Sequence, residues 1–259
     1  MSHNGLPREI LENVFWLGDC LLQRYKGKTY HSYNSSYLVI GRDGALLLET
    51  GHPKDFKLLH DQMMEILYDK NIPLKYIFTT HQETPHAGGI ARFLNLYPDI
   101  MVFGDVSDYH MAFPMFENNF ISMEVGDKID LGGIELLATE PVVRDIRTSL
   151  WGILHPHKIL FPGDGFAYSH YHFDGHCGKL AEEAKTLDLS EVTAVFAELA
   201  LFWTNFVDMS VYSDRLIQLI EEQKIKYIAP THGLPIMDIE KTMPKVIEGL
   251  HGPYDKMAG

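Results

Sequence analysis

The stretch Thr79-Thr80-His81-Gln82-Glu83-Thr84-Pro85-His86-Ala87-Gly88-Gly89 places two imidazoles and a carboxylate within six residues, directly after the apolar run Tyr76-Ile77-Phe78. Two other apolar runs end in a similar way. Ile159-Leu160-Phe161 leads to Asp164, and Tyr227-Ile228-Ala229 leads to His232. Each run reads as a buried strand that delivers a metal-type ligand just past its C-terminal end, where sites form in open α/β sheets. A single histidine beside an apolar strand is more often structural. The conjunction of His81, Glu83, His86, Asp164 and His232 makes one shared metal site the economical explanation. Nitrogen and oxygen donors without thiolate suit iron, zinc or manganese.

The spacing of His81, Glu83 and His86 suits a loop wrapped around a metal, with the positive end of the following helix brought near. Asp164 lies in Phe161-Pro162-Gly163-Asp164-Gly165. A turn aspartate between glycines is common, but its place after a buried strand marks it as a ligand, one able to bridge two metals. His232 lies in Pro230-Thr231-His232-Gly233, where proline and glycine fix the backbone that aims the imidazole.

Hairpins and helices must position these residues. Tyr37–Ile40 and Ala45–Glu49 flank Gly41-Arg42-Asp43-Gly44, a strong hairpin signal. Asp127–Leu131 and Ile134–Ala138 flank Gly132-Gly133, and Leu150–Leu154 and Ile159–Phe161 flank His155-Pro156-His157-Lys158. Phe56, Leu59, Met63, Ile66 and Leu67 mark one face of a helix over 54–70. Leu180 to Leu187 reads as a second helix. Val211, Leu216, Leu219 and Ile220 mark a third, and Met243, Val246, Ile247 and Leu250 a fourth. Gly88-Gly89 turns the chain into a short helix near Ile90 to Leu96. Hairpins alternating with helices predict a layered α/β fold, sheets faced by helices.

The chain of 259 residues is 46% apolar, enough for a large core, and has no low-complexity stretch, repeat or linker, so residues 1–259 read as a single domain. A formal charge of −13 with no lysine- or arginine-rich block argues against nucleic acid as a partner. No apolar run reaches membrane-span length and the N-terminus lacks a signal-peptide core, which predicts a cytoplasmic protein without a membrane partner. Cys20 and Cys177 are far apart and belong to no CxxC pair, so they read as reduced thiols. His170, His172 and His176 read as a polar surface loop, against a lid, a proton source or a spare ligand. His155 and His157 read as surface residues of a hairpin turn. Tyr30, Tyr33, Trp203 and Phe206 read as core residues, or as the wall of a pocket.

The ligand residues resemble the metallo-β-lactamase superfamily, and within it the di-iron domain of flavodiiron proteins and the related free-standing oxygen-binding di-iron proteins. The superfamily motif His-x-His-x-Asp-His reads here His81-x-Glu83-x-Pro85-His86, and glutamate in the second ligand position marks the di-iron branch. Lys28 to Val39 is similar to the branch's N-terminal Tyr-Asn-x-Tyr-Leu segment, and Glu49-Thr50-Gly51 stands where Asp-Thr-Gly is usual. Leu160 to Phe166 resembles the segment of the bridging aspartate, His170-Tyr171 matches a His-Tyr pair after it, and Ile228 to Gly233 resembles the last ligand segment. The resemblance covers roughly residues 14 to 240. It implies a four-layer αββα sandwich with the metals at one edge.

Two positions depart from the pattern. Pro85 replaces an aspartate, and no histidine occurs near Thr139 to Asp145. Carried over residue by residue, one metal keeps His81, Glu83 and Asp164, and the other keeps His86, Asp164 and His232. The second set alone can hold a non-haem Fe(II) with open positions. Glu140 or Asp145 is a candidate to fill the first gap, whereas Arg144 or Arg147 entering the site would oppose a second cation. Unequal binding of one or two iron ions is therefore expected, with zinc or manganese as alternatives.

The resemblance implies a protein that binds or reduces dioxygen or a related small oxidant. The sequence contains no Gly-rich phosphate loop or flavodoxin-like segment, so the expected partners are a small oxidant, a separate electron donor and further copies of the chain in a homo-oligomer. An oxygen-sensing or binding module without turnover is a competing reading. A metal-dependent hydrolase of an ester, lactone or phosphodiester is another, opposed by Glu83 and Pro85.

Overall fold

The strand-forming runs read from the sequence are strands in the computed structural model, which describes residues 5–165 and 171–258. In chain order the strands are β1 (Arg8–Leu11), β2 (Val14–Leu17), β3 (Cys20–Tyr25), β4 (Lys28–Tyr33), β5 (Ser36–Ile40), β6 (Ala45–Leu48) and β7 (Leu74–Phe78), then β8 (Met101–Gly104), β9 (Phe120–Ser122), β10 (Lys128–Asp130), β11 (Glu135–Thr139), β12 (Trp151–His155), β13 (Ile159–Phe161) and β14 (Tyr227–Ile228). The α-helices are α1 (Phe56–Lys70), α2 (Thr84–Ala87), α3 (Ile90–Leu96), α4 (Tyr109–Ala112), α5 (Leu189–Leu199), α6 (Ser210–Gln223) and α7 (Ile239–Ala258). The chain divides into two compact units. The first comprises Met1–Asp19, Asn34–Glu140 and Ile146–His157, and the second Cys20–Tyr33, Pro141–Asp145 and Lys158–Gly259.

In the first unit a mixed sheet runs β1-β2-β5-β6-β7-β8-β9. The hairpin around Gly41-Arg42-Asp43-Gly44 pairs β5 with β6 antiparallel, Tyr37 opposite Leu48, as the turn signal requires. From β6 onward the sheet is parallel, β6 to β7, β7 to β8 and β8 to β9. The parallel strands end side by side, which is where the histidine loop emerges. Helix α1 buries Leu59, Met63, Ile66 and Leu67, the expected stripe, and ends at Asn71 in the left-handed conformation. These side chains join Leu38, Leu47, Ile77 and the α3 residues Ile90, Phe93 and Leu94 in one core. Leu46 and Leu48, on the other face of β6, are also buried, so this strand is covered on both sides. Gln62 of α1 is buried too. Its amide accepts from Gly18 N at 2.8 Å and donates to Gly18 O at 3.1 Å, which satisfies a polar group inside the core. β10, β11 and β12 form antiparallel pairs within the same unit.

In the second unit β3 and β4 form an antiparallel ribbon, β13 pairs parallel with β14, and α5 packs on α7. The two helices approach so closely at Gly249 that a Cβ there would lie 2.5 Å from the Thr193 Cβ. The helix expected over 180–187 is not formed. One 3₁₀ turn, Ala181–Glu183, stands there, and α5 starts only at Leu189. The cause is competition for caps. Asp188 accepts from Ser190 N and Glu191 N and so starts a helix after itself. Glu182 instead accepts from Met237 N, Asp238 N and the Thr242 hydroxyl, at the entry to α7.

The backbone N–H of Glu191, with the hydroxyl and backbone N–H of Ser190 behind it, holds the Asp188 carboxyl below the usual carboxylate range. A depressed folded pKa means that this stabilisation is present above the unfolded pKa and is lost as pH falls through the folded one. Asp188→Ala is expected to cost about 1 kcal/mol at neutral pH. Asp188→Asn is expected to cost less. Chemical denaturation at pH 7 and at about pH 2.5 tests this: the difference between Ala and wild type is expected to shrink at the acid end. An equal difference at both pH values would rule the charged cap out.

Candidate metal centre

In the first unit the C-terminal ends of β6 and β7 carry the site. Glu49 follows β6, and Thr79 to His86 follow β7. The structure brings His81, Glu83 and His86 together. The two imidazole rings lie 3.8 Å apart between centroids, and His81 Nε2 is 3.6 Å from Glu83 Oε2. His81 and His86 are buried, whereas the Glu83 side chain is half-exposed. Helix α2 begins at Thr84 with Glu83 as its N-cap and Pro85 in the first turn. Proline suits that position because its missing N–H is not needed there. Pro85 thus helps to start the helix that presents His86.

The backbone of this loop is pinned by Thr50. Its N–H and hydroxyl both donate to the His86 carbonyl, at 2.7 and 2.8 Å, and its hydroxyl accepts from Gly89 N at 3.0 Å. Only glycine fits at position 89, since a Cβ would stand 2.5 Å from Thr50 O. In the sequence Glu49 stands in Glu49-Thr50-Gly51 at a strand end, with no part assigned to it in the site. Its carboxylate is 2% exposed, lies 3.2 Å from His86 Nδ1, and accepts from the Thr80 hydroxyl at 2.5 Å. Burial pushes this carboxyl up, but His86 and His81 beside it, with the Thr80 hydrogen bond, outweigh burial and hold it below the usual range. An ionised carboxylate at Nδ1 keeps the proton on that nitrogen and directs Nε2 toward a metal. Glu49 also has φ of 62°, a left-handed conformation that costs a non-glycine residue free energy and concentrates at functional sites. The missed signal was a carboxylate at the end of an apolar strand adjacent to the histidine strand.

In the second unit Asp164 follows β13 and His232 follows β14, so the parallel pairing sets their loops side by side. Thr231 N donates to Gly163 O at 3.1 Å. His232 Nδ1 lies 2.6 Å from the Tyr33 carbonyl oxygen. A carbonyl only accepts, so Nδ1 carries the proton. The other nitrogen, Nε2, then meets Asp164 Oδ1 at 3.1 Å. Two acceptors facing each other at that distance require a proton between them or a metal ion. The donor set of buried imidazoles and carboxylates therefore fits a nitrogen- and oxygen-bound metal.

Of the gap-filling candidates, Glu140 and Asp145 are half-buried, one in each unit. Arg144 is exposed, and Arg147 is exposed with its guanidinium 3.8 Å from Asp108. His170 lies outside the described residues. His172 and His176 are buried rather than part of a polar surface loop: His31 and His172 exchange backbone hydrogen bonds at 2.8 Å, and His176 Nε2 meets the Thr186 hydroxyl at 2.9 Å. His155 and His157 are half-buried. Tyr30 and Tyr33 are buried, while Phe206 is exposed and Trp203 donates to Arg144 O. Cys20 and Cys177, far apart in sequence, stand 3.5 Å apart between sulfurs, with His31 and His172 against both.

The profile of the metallo-beta-lactamase superfamily matches residues 30–166. The chain is 24% identical over 275 aligned residues to a coenzyme F420H2 oxidase of Methanothermobacter marburgensis, covering 97% of this chain and 67% of that protein. Rubredoxin oxygen:oxidoreductase from Desulfovibrio gigas superposes with a TM-score of 0.74 at 15% identity, over 94% of this chain and 60% of that one. The flavodiiron protein from Giardia intestinalis gives a TM-score of 0.71 at 18% identity, over 94% and 59%. The chain thus spans about six tenths of the length of these two solved structures. The likeness shows a common fold, and the layered α/β sandwich expected from the sequence is that fold. Among the described residues no helix is long and apolar enough to cross a membrane.

Proposed function

Because the chain belongs to the metallo-beta-lactamase superfamily, we propose that it is a non-haem iron protein that binds or reduces dioxygen or a related small oxidant, with His81, Glu83, His86, Asp164 and His232 as metal ligands. The observation that carries this reading is the His81–Glu83–His86 cluster, two buried imidazoles beside a half-exposed carboxylate, with the buried Glu49 carboxylate 3.2 Å from His86 Nδ1. It presents carboxylate where the superfamily's hydrolases keep a histidine. The names of the Methanothermobacter and Desulfovibrio proteins, both oxidases of an electron donor, support the same reaction class.

Iron held by these residues would supply one-electron redox chemistry. The chain's own groups do the rest. Glu49 holds the Nδ1 proton of His86, and the Tyr33 carbonyl holds that of His232. Thr80 bridges Glu49 and both Nδ1 atoms through one hydroxyl, so the two rings of the motif are fixed together. Burial of both imidazoles keeps bulk water from them, and the half-exposed Glu83 carboxylate is the proposed ligand that faces solvent. Electrons come from a separate donor protein, and the protein is a cytoplasmic homo-oligomer.

Pro85 leaves one of the two metal positions with fewer ligands, so iron binding is unequal. The reduced iron protein, prepared without oxygen, is expected to react with O2, seen as an absorption change on rapid mixing. The zinc-loaded form is expected to be a poor hydrolase of esters, lactones and phosphodiesters. Robust hydrolysis by the zinc form with an inert iron form would replace this reading by the hydrolase.

A further inference from the structure

The chain contains two cysteines, and the fold brings them together with two histidines in a place the proposed iron ligands do not use. Cys20 opens β3 and His31 lies on β4. In the register of this ribbon Cys20 opposes Tyr33 and Leu22 opposes His31. Cys20 and His31 therefore sit two residues apart on one face, as diagonal neighbours. His172 is joined to His31 by a pair of backbone hydrogen bonds, and Cys177 follows five residues later, after the turn at Gly175, whose φ is 82°.

The donor atoms converge. Cys20 Sγ is 3.3 Å from His31 Nδ1 and 3.5 Å from His172 Nε2. Cys177 Sγ keeps the same two distances, 3.3 and 3.5 Å, and the sulfurs are 3.5 Å apart. All four atoms lie within 4.8 Å of one another. Metal–sulfur bonds of about 2.3 Å and metal–nitrogen bonds of about 2.0–2.1 Å, arranged tetrahedrally, set edges of roughly 3.4–3.8 Å. The observed edges are close to those values. They are far from a disulfide, whose sulfurs stand about 2.05 Å apart.

We propose that Cys20, His31, His172 and Cys177 form a closed tetrahedral site for a zinc ion, separate from the iron ligands. Two thiolates and two imidazoles in tetrahedral array select zinc. Loading the site releases the two thiol protons to solvent and leaves one dication held by two thiolates and two neutral imidazoles. Four protein ligands leave no open position, so the role is structural rather than catalytic. The ion ties the β3–β4 ribbon to the segment 171–178. Tyr33, at the end of β4, connects this tie to His232. Its ring stacks on His172 at 5.1 Å, its hydroxyl accepts from Gly178 N at 2.6 Å, and its carbonyl accepts from His232 Nδ1. The zinc site thus braces the strand that aims one of the proposed iron ligands.

Cobalt(II) is the probe, because a cobalt–thiolate charge-transfer band can arise only from Cys20 and Cys177 in a chain with no other thiol. Full-length protein, freed of metal under reducing conditions and titrated with cobalt(II), is expected to develop that band together with strong visible bands of tetrahedral cobalt. Zinc is expected to displace them at one equivalent. The protein as isolated is expected to hold zinc that is lost in Cys20→Ser, Cys177→Ser and retained in His86→Ala, His232→Ala. Retention in the latter separates this site from the iron reading. The wild-type titration decides the question even if the serine variant fails to fold. Absence of the thiolate band in reduced protein, a Cys20–Cys177 disulfide in protein isolated under reducing conditions, or unchanged zinc in a folded serine variant would each overturn the proposal.

Discussion

The His86→Ala, His232→Ala double variant is expected to purify with less than about a tenth of the wild-type iron when both are made under iron-replete, oxygen-free conditions. Removing an outer partner of a metal-bound histidine already costs about 10–100-fold in affinity. Two deleted imidazoles remove ligands themselves and leave His81, Glu83 and Asp164. Each lost ring has its second nitrogen held in place, His86 by Glu49 at 3.2 Å and His232 by Tyr33 O at 2.6 Å, so no nearby side chain substitutes for it without rebuilding that support. Iron is counted by elemental analysis, with circular dichroism to confirm the fold. Wild-type iron content in a folded double variant would remove His86 and His232 from the ligand set and leave the first set, His81 with Glu83 and Asp164, to carry the metal.

Glu49→Ala is expected to lower stability by about 1–3 kcal/mol, the range for leaving buried donors without their acceptor. In a chain of this size that is a fall of roughly 2–12 °C in melting temperature. The carboxylate accepts from the Thr80 hydroxyl and backbone N–H and faces His86, and all three are buried with it. Alanine leaves them without that acceptor and keeps the left-handed backbone. Glu49→Gly relaxes the backbone by about 1–2 kcal/mol and is expected to be milder in stability while losing iron equally. Glu49→Gln keeps an acceptor oxygen for Thr80 but not the charge at His86, so it is expected to lose more iron affinity than stability. Calorimetry and iron analysis on the three variants separate these contributions. A melting temperature and iron content unchanged in Glu49→Ala would show that the carboxylate supports neither the loop nor the metal.

Much of the site was legible because it is local. His81, Glu83 and His86 lie on one loop, and a short continuous apolar run followed by such a loop is visible in one dimension. The hairpin at Gly41 to Gly44 and helices α1, α3 and α6 were legible for the same reason: turn chemistry and a repeating apolar stripe act over a few residues. The helix expected over 180–187 failed at a boundary. Leucine spacing there was a weaker signal than the side-chain cap of Asp188, and Glu182 is taken by Met237 and Asp238, residues that sequence proximity does not reveal.

What the sequence by itself determined is the set of side chains proposed as ligands and the strands that end at them, including the glutamate at position 83 and the proline at 85. Only the tertiary structure decided what stands behind those ligands. Glu49 reaches His86 because parallel pairing of β6 with β7 lays their ends together, and Tyr33 O reaches His232 across 199 residues of chain. Cys20 and Cys177 read as unrelated thiols, yet 157 residues apart they meet because β3 and β4 pair and His172 bonds back to His31. Side-chain type is written locally, whereas contact between distant segments depends on which strands pair and in what register, and a single sequence leaves that choice to the packing of the whole fold.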